Sequence, residues 1–244
     1  MKEALPRTQS KFCGIPYFPQ NIPYPTGEDK SKLFFLAQIN LSEVPQIDSL
    51  PLPKKGLMQF FIAHPFLSDI NDTNLIGGKN VHVLYHADIS EDITQYPVDF
   101  FPIPSKQDGF PIVNEFSLEF EKKKTAIPLC DYRFENLAND NSFIDDIEYD
   151  ELLIEKTLGL TVQSNEHRIG GYPYFTQFDP REKDFVQKLS KDEPFELLFQ
   201  MTSQDSKNIG EISWGDAGVV NFFIKPSYLK RLDFSQVLYT WDCG

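Results

Sequence analysis

A nine-residue phrase occurs twice in this chain, and it restricts the possible folds more than any other part of the sequence. The chain reads FCGIPYFPQ from Phe12 and IGGYPYFTQ from Ile169. In both copies a glycine is followed by X-Pro-Tyr-Phe-X-Gln, and Gly171 comes 157 residues after Gly14. The repetition predicts two loops of the same type in one molecule.

A series of matches follows each copy of the phrase at a constant spacing of 162 residues. The matched pairs are Leu36 and Leu198, Gln38 and Gln200, Gly56 and Gly218, Phe60 and Phe222, Phe61 and Phe223, and Ile62 and Ile224. A period this long is not that of a solenoid array, so we interpret the series as an internal duplication of two pseudo-symmetric β units. Repeat unit one covers about 12–86, an insert about 87–166, and repeat unit two about 167–244.

The segment GLMQFFI, which begins at Gly56, shows why the units are expected to be β structure. Successive side chains of a strand point to opposite faces, and both faces of this segment are largely apolar, so the strand should be covered on both sides. The 22 phenylalanines favour strands, and the 13 glycines and 18 prolines interrupt the chain often. Gly56 and Gly218 are expected to supply the unusual backbone angles of the turn before each strand.

We therefore predict a single domain, residues 1–244, with a mainly β, roll-like fold and a few short helices. One helix is expected at Asp145–Leu160, which carries acidic residues early, and one in REKDFVQKLSK, after Asp179 and Pro180. A third is expected at Pro226, because proline suits the first turn of a helix.

The chain carries 23 basic and 36 acidic side chains, which give a net charge of −13. This charge argues against binding to nucleic acid or to an anionic membrane surface, because both are themselves negative. It fits an ordinary solvated surface, or an acidic face for a basic protein partner. The acid-rich segment Asp140–Glu155 has the same two interpretations, a solvated helix face or a docking site for a basic protein.

The three cysteines, Cys13, Cys130 and Cys243, are far apart and form no CxxC pair. Their spacing argues against a disulfide framework and against a structural zinc site, so we expect the reducing cytoplasm. The N-terminal segment has no apolar stretch of signal-peptide length, and no window approaches the roughly 20 apolar residues of a membrane helix.

Seven segments of the chain, taken in order, carry a family resemblance. They are SKFCGIPYFP, FLAQINLSEVP, GLMQFFI, HRIGGYPYFTQFDPR, LLFQMTS, WGDAGVVNFFI and LDFSQVLYTWDC. Together they resemble the YwqG-like family of bacterial proteins, a domain of unknown function, over nearly the whole chain. The resemblance departs from the family pattern at Cys13, where the first phrase usually has a glycine. If that glycine served close ligand approach, a site in the first half would be in doubt.

The resemblance implies a cytoplasmic, mainly β, roll-like protein with an internal duplication. It carries over no catalytic residue, because none is assigned in the family. Some members are similar to proteins suggested to be immunity partners of secreted toxins, which is an association and not a mechanism.

Paired amides are the first candidate site. They are Gln20 with Gln177, Gln38 with Gln200, and Gln59 with Asn221. A neutral amide both donates and accepts hydrogen bonds, so these side chains either fasten the repeated loops to the strands or line a cleft for a neutral polar ligand. On the second interpretation Gln177, Gln200, Asn221 and the loop residue Tyr172 are candidate ligand-binding residues.

The chain around Asp179 is a second candidate. Asp179 either caps the helix that follows it or belongs to a polar site. Arg181, with His167 and Arg168, is a candidate anion-binding point in an acidic protein.

A third group lies in and near the segment SWGDAG. Asp216 is expected to bond to nearby backbone in a turn. Trp214 and Trp241 are either core residues or an exposed pair in a protein interface. We retain Trp214 and Asp216 as candidate ligand-binding residues.

Catalytic and metal motifs are weak in this sequence. His82, His86 and Asp88 share the period of one strand face, but no HExxH motif or cysteine cluster supports a metal site, and we expect no metal or cofactor. There is no Walker A loop, GxGxxG or GxSxG motif, and Cys130 has no neighbouring base in sequence.

Two hypotheses for the function follow. The first is a non-enzymatic, immunity-like protein that binds a basic partner through its acidic surface. The alternative is a neutral small-ligand-binding or hydrolytic protein with a cleft between the repeats.

Overall fold

A computed structural model of the chain describes residues 4–63, 76–107, 109–128, 131–134, 165–206 and 210–244. The strands are β1 (Lys11–Phe12), β2 (Phe34–Asn40), β3 (Leu57–Ile62), β4 (Val81–His86), β5 (Phe116–Ser117), β6 (Glu196–Thr202), β7 (Gln204–Ser206), β8 (Gly210–Ile212), β9 (Val219–Ile224) and β10 (Leu238–Asp242). The helices bounded within these described ranges are α1 (Asp184–Leu189), α2 (Pro226–Lys230) and the 3₁₀ helices Val98–Phe100 and Pro180–Glu182.

Antiparallel pairing organises these strands into two main sheets. The first sheet has the order β4-β3-β2-β1-β5, and the second has the order β10-β9-β6. Strands β7 and β8 form a separate hairpin. Single bridges extend the second sheet, because Arg168 pairs with Gln200 beside β6 and Ile76 pairs with Leu238 beside β10.

The two main sheets pack face to face through their apolar inner faces. Phe60 of β3 lies between Phe199 of β6 and Phe222 of β9, with ring centroids 4.6 and 4.9 Å apart. Phe12 of β1 continues this contact to Phe199 at 5.9 Å. All six residues of β3 and all six of β9 are buried, which confirms that these strands are covered on both sides.

A separate apolar cluster covers the outer face of each sheet. The outer cluster of the first sheet contains Phe18, Tyr24, Leu33, Phe35, Phe61 and Phe101. The outer cluster of the second sheet contains Phe175, Val186, Phe195, Leu197, Phe223 and Leu238. Phe18 and Phe175 come from the two copies of the repeated phrase, so each repeated loop packs on the outer face of its own sheet.

Matching irregularities occur in the two sheets. The pairing of β2 with β3 shifts register between Phe35 and Ala37, and the pairing of β6 with β9 shifts between Leu197 and Phe199. These are bulges of the type that bends a strand, and they stand at equivalent positions of the aligned series. Internal duplication itself stays a prediction, which these common features support.

The repeated loops start with two residues in the left-handed region. The φ angles are 53° at Cys13 and 78° at Gly14, and 66° at Gly170 and 76° at Gly171. Cys13 therefore has the left-handed conformation of Gly170, the residue at the corresponding position of the second loop. This conformation is unfavourable for a residue with a Cβ atom.

The prediction of unusual backbone angles at Gly56 and Gly218 is confirmed for Gly56 and wrong for Gly218. Gly56 has a φ of +96°, as expected. Gly218 does not have a left-handed φ, and it is Ala217 before it that has a φ of 58°. Gly218 is required for a different reason, since a Cβ atom there would lie 2.1 Å from the Asp242 carbonyl oxygen.

The prediction of a mainly β fold with short helices is confirmed, and helices do lie in REKDFVQKLSK and at Pro226. The single-domain boundaries stay a prediction. The expected helix at Asp145–Leu160, the acid-rich segment Asp140–Glu155 and Cys130 lie outside the described residues.

Candidate functional site

Buried amides hold the first repeated loop on its sheet. Gln38 and Gln59 face each other across β2 and β3, and both side chains are fully buried. Gln38 Oε1 accepts from the Tyr17 backbone N–H at 3.0 Å, and Gln59 Nε2 donates to the Tyr17 carbonyl at 2.6 Å. Gln38 Nε2 donates to the carbonyls of Arg7 and Gln9, so the N-terminal segment is held as well.

The second loop is held in the same way. Gln200 Oε1 accepts from the Tyr174 backbone N–H at 2.7 Å, and Asn221 Nδ2 donates to the Tyr174 carbonyl at 3.0 Å. Gln200 Nε2 donates to the Glu166 carbonyl at 2.8 Å. In both units the two buried amides bind backbone groups of the repeated loop. This is the first of the two predicted roles, in which the amides fasten the loops to the strands. The third predicted pair differs, because Gln177 is exposed and donates to the Cys243 carbonyl at 2.6 Å.

Arg181 lies in a buried network of charges. Its guanidinium contacts Asp179 at 2.6 Å and Asp131 at 2.8 Å, and all three side chains are almost entirely buried. Arg133 contacts the same Asp131 at 2.8 Å and Glu196 at 2.9 Å. The Asp179 side chain also accepts from the Arg181 backbone N–H, so Asp179 caps the 3₁₀ helix that follows it.

This network leaves no open anion site at Arg181. Burial alone would raise the pKa of Asp131, but hydrogen bonds and charge from Arg133 and Arg181 outweigh burial and lower it. Because Arg181 is matched by two carboxylates, the structure does not bring it together with His167 and Arg168 as an anion-binding point. Sequence reasoning did not find Asp131, which lies in the insert 50 residues away from Arg181.

Arg181 occupies the place that Tyr24 has in the first unit. The Tyr24 hydroxyl donates to the Leu33 carbonyl, and Arg181 Nη1 lies 3.4 Å from the Phe195 carbonyl, one residue before the corresponding strand. Both side chains also pack on the equivalent phenylalanine, Phe61 or Phe223. The charged network around Arg181 therefore takes the place of the aromatic contact of Tyr24 in the first unit. This equivalence indicates a structural role for the network.

The remaining predicted residues are dispersed. Trp214 is fully buried in the core between the sheets, whereas Trp241 is half-buried, so the two do not form an exposed pair. Asp216 is exposed, and its carbonyl accepts from the Gly244 N–H. The Tyr172 ring lies 5.0 Å from the Arg133 guanidinium, and the Tyr172 carbonyl accepts from Arg168.

The three residues of the metal hypothesis are not brought together. His86 is buried and its Nε2 contacts Gln59 Oε1 at 2.8 Å. Asp88 is exposed and lies 3.7 Å from Lys55. No group of three histidine, cysteine, aspartate or glutamate side chains in the described ranges is arranged to hold a metal ion.

A cleft of about 650 Å³ opens between the two sheets, and it is the candidate functional site. We call it the inter-sheet cleft. Its apolar floor includes Phe12 of β1, Ile39 of β2 and Phe199 of β6. One wall is the run 118–125 from the insert, which continues from β5, and the other is 165–171, which leads into the second repeated loop.

The alternation of burial along 116–121 explains the first wall. Phe116, Leu118 and Phe120 are half-buried against the core, and Ser117, Glu119 and Glu121 between them are exposed. This period of two keeps the run extended beyond the two residues of β5 that pair with β1. The second wall is fixed by Gln200, whose backbone pairs with Arg168 and whose side chain binds the Glu166 carbonyl.

His167 is the titratable ring that lines the cleft, and both of its nitrogens are engaged. Nδ1 accepts from the Thr202 backbone N–H at 3.2 Å, and Nε2 lies 2.9 Å from Gln204 Oε1, to which it donates. Burial lowers the pKa of His167, against smaller opposite effects of Gln204 and Glu166. The ring is therefore neutral at pH 7, and it has no free lone pair to act as a base.

The rim of the cleft is polar and balanced in charge. Three basic residues and three acidic residues are among the lining side chains, namely Lys122, Lys123, Arg168, Glu119, Glu121 and Glu166. Lys123 and Glu166 form an ion pair of 2.9 Å that joins one wall to the other. The seven candidate residues from the sequence are not among the described residues that line the cleft, whereas His167 and Arg168 are.

A family model describes the same extent of chain as this fold. The model of a domain of unknown function, DUF1963, matches residues 10–243. The chain belongs to the DUF1963 family. This member matches no curated protein. None of the helices in its described residues is long and apolar enough to cross a membrane.

Sequence reasoning missed the 118–125 wall of the cleft in this DUF1963 protein, and named only His167 and Arg168 as candidate residues on the other wall. Residues 118–125 have no counterpart in the other unit, so the repeat gave no reason to select them. The partial alternation in IVNEFSLEFEKK was the available signal, and it marks an extended run without showing where the run lies.

Proposed function

We propose that this protein is a non-enzymatic binding protein whose ligand occupies the inter-sheet cleft. The observation that carries the proposal is the cleft itself, with a volume of about 650 Å³ and an apolar floor made by both sheets. Ligand sites in proteins have volumes of roughly 300–1,000 Å³ and combine apolar walls with a few polar groups. The sequence-based hypothesis placed the ligand at the paired amides, and these bind backbone and do not line the cleft, so the proposal depends on the cleft and not on them.

The lining supports a neutral ligand, or a zwitterionic one, with an apolar body. The balance of three basic and three acidic rim residues favours neither sign of charge. Aromatic and aliphatic side chains such as Phe12 and Ile39 form the floor, where burial of apolar ligand surface would supply most of the affinity. The predicted site residue Gln200 contributes indirectly, because it holds the 165–171 wall.

The chemistry of the lining supports binding in preference to hydrolysis. A hydrolytic site needs a base or a nucleophile that can reach the substrate. His167 is engaged by Thr202 and Gln204, and Lys123 and Glu166 are paired with each other.

The experiment is native mass spectrometry of the full chain purified from its own host without denaturation. Thr125 is half-buried on the cleft wall, so Thr125→Trp should fill the cleft and abolish a bound small molecule seen in the wild type. Thr94→Trp is the matched control, because Thr94 is exposed away from the inter-sheet cleft and its replacement should leave the adduct unchanged. The absence of any adduct, together with no thermal shift from a panel of neutral metabolites, would contradict the proposal.

A basic protein partner is the second candidate, and the net charge of −13 favours it. Complementary charge would speed the encounter and make it sensitive to salt. This candidate includes the immunity-like role in a bacterial cytoplasm that the YwqG-like resemblance implies. Recovery of a basic partner by affinity capture at low salt, and its loss at moderate salt, is the expected result. Equal recovery at both salt concentrations would contradict it.

A further inference from the structure

Two buried oxygen atoms in the second unit have no hydrogen-bond donor. Asn221 Oδ1 on β9 and Asp242 Oδ1 on β10 are both enclosed, and neither has a partner in the part of the chain that the structure describes. A buried acceptor that lacks a donor is costly. The two residues stand at diagonal positions of the β9–β10 pair, where Asn221 is opposite Thr240 and Asp242 is opposite Val219, so one explanation can serve both.

The first unit shows what the missing donor should do. There, Gln59 Nε2 donates to the Tyr17 carbonyl, and Gln59 Oε1 contacts His86 Nε2 at 2.8 Å. His86 stands opposite Leu57 in the β3–β4 pair. The polar face of Gln59 is thereby completely satisfied.

Asn221 and Asp242 occupy the same two positions in the second unit. Asn221 Nδ2 donates to the Tyr174 carbonyl as Gln59 Nε2 donates to the Tyr17 carbonyl, so Asn221 Oδ1 corresponds to Gln59 Oε1. Asp242 lies opposite Val219, the counterpart of Leu57, so it takes the position of His86. A histidine can donate from its ring nitrogen, whereas an ionised aspartate can only accept.

We propose that Asp242 is a neutral carboxylic acid in the folded protein, with its proton on Oδ1 and directed at Asn221 Oδ1. One proton then satisfies both oxygen atoms and restores the bond that His86 makes in the first unit. The other oxygen, Oδ2, accepts from the backbone N–H groups of Thr176 and Gln177 at 3.2 and 3.1 Å. The acid thus ties the second repeated loop to both C-terminal strands.

The surroundings of Asp242 agree with a neutral acid. Its donors are the uncharged backbone N–H groups of Thr176 and Gln177, and the residue opposite it on β9 is Val219. No charged side chain of the described residues is among the causes that shift its pKa. Burial raises the pKa of Asp242, and the backbone donors of Gln177 and Thr176 only partly offset this. Because the folded pKa lies above the unfolded one, the stability that this group contributes is present at low pH and is lost as the pH rises through the folded pKa.

The test is an NMR titration of the Asp242 side-chain carboxyl carbon in the full-length protein. The expected result is a carboxyl group that is still protonated at pH 7, well above the ordinary pKa of 3.8. An ionised Asp242 at pH 7 would overturn the proposal, and this measurement needs no variant.

Asp242→Asn gives a second readout, because an amide has the shape of the neutral acid and donates from Nδ2 to Asn221 Oδ1. We expect the variant to lose the decline in stability that the wild type shows as pH rises through the Asp242 pKa. Asp216→Asn is the matched control at an exposed aspartate, and it should keep that decline. If the stability of Asp242→Asn declines with rising pH as much as that of the wild type, the result would contradict a proton on Asp242 Oδ1. If Asp242→Asn does not fold, the wild-type titration alone decides.

Discussion

His86 shows how a single buried side chain makes stability depend on pH. It is buried on the outer face of β4 against Tyr17 and Phe18, and burial lowers its pKa to about 4. Between the unfolded value of 6.5 and about 4, the unfolded chain binds a proton that the folded protein does not. Stability should therefore fall as the pH drops through this window, by up to about 3 kcal/mol at 1.36 kcal/mol per pKa unit.

We predict that His86→Gln removes most of this slope, because glutamine can still donate to Gln59 Oε1 but does not titrate. Urea unfolding at several pH values between 4 and 6.5 measures it. The pKa values of His82 and His167 are also lowered. The wild type and His86→Gln both retain these two histidines, so the difference between their pH slopes reports on His86 alone. Identical slopes in the two proteins would contradict the prediction.

Arg181 is a second single residue on which stability depends, because its removal would leave two buried carboxylates without their cationic partner. Asp131 and Asp179 are both fully enclosed next to it. We predict that Arg181→Met lowers the free energy of unfolding by about 3–5 kcal/mol, the usual cost of breaking a buried pair on one side. Chemical denaturation with Arg231→Met as control measures the effect, since Arg231 is exposed. A loss as small as that of the control would show that water reaches the network.

Among the elements, the two repeated loops depend on their amide anchors. Gln38→Leu would leave the Tyr17 N–H and the Arg7 and Gln9 carbonyls without their partner. Gln200→Leu would do the same to the Tyr174 N–H and the Glu166 carbonyl.

We predict a loss of at least about 1–3 kcal/mol for each of these two substitutions, because buried groups that lose their partner keep their full desolvation cost. The measurement is the midpoint of urea unfolding, with Gln20→Leu as control because Gln20 is exposed. Wild-type midpoints in both variants would mean that the amides do not anchor the loops.

The elements are also where sequence reasoning is most reliable for this chain. Strands β2, β3, β6 and β9 are each marked by an apolar run with a glutamine or asparagine inside it, and the repeat presents the pattern twice. The two-residue strands β1 and β5 carry no such mark, because their pairing is decided by the neighbouring strand and not by their own pattern. The φ of 58° at Ala217 could not be predicted either, because alanine is not a residue that favours the left-handed region.

At the scale of the whole molecule, the shared core couples the two sheets. Phe60 reaches both Phe199 and Phe222 across the interface. We predict that Phe60→Ala costs about 3–5 kcal/mol and shifts the unfolding of the entire chain, because neither sheet keeps its inner face covered alone.

Far-UV circular dichroism and tryptophan fluorescence should therefore report one common transition in the wild type and in the Phe60→Ala protein. Phe178→Ala is the control, because Phe178 is exposed. Two separate transitions, with only one of them moved by Phe60→Ala, would show that the halves are independent domains.

The candidate site belongs to this scale too, which is why the sequence predicted little of its lining. The alternative hypothesis of a cleft between the repeats placed a ligand at the paired amides, and of the candidate residues that the structure describes only His167 and Arg168 line the cleft. The residues of the cleft come from five separate stretches, which meet only after the sheets have packed: Phe12, 39–49, 118–125, 165–171 and 199–204. The same holds for Arg181, whose partner Asp131 comes from the insert. Contacts between segments without a shared pattern are invisible before the fold is known.

The phenylalanine contact between the sheets has a consequence for the history of the chain. One unit on its own would present the inner rings of its sheet to water, an apolar face that a soluble monomer rarely exposes. If the two halves descend from one gene, the ancestral protein would have been stable as a homodimer, with the same face used by both copies. Fusion of the two genes would then have freed each copy to change separately, as the replacement of Tyr24 by Arg181 and of His86 by Asp242 illustrates.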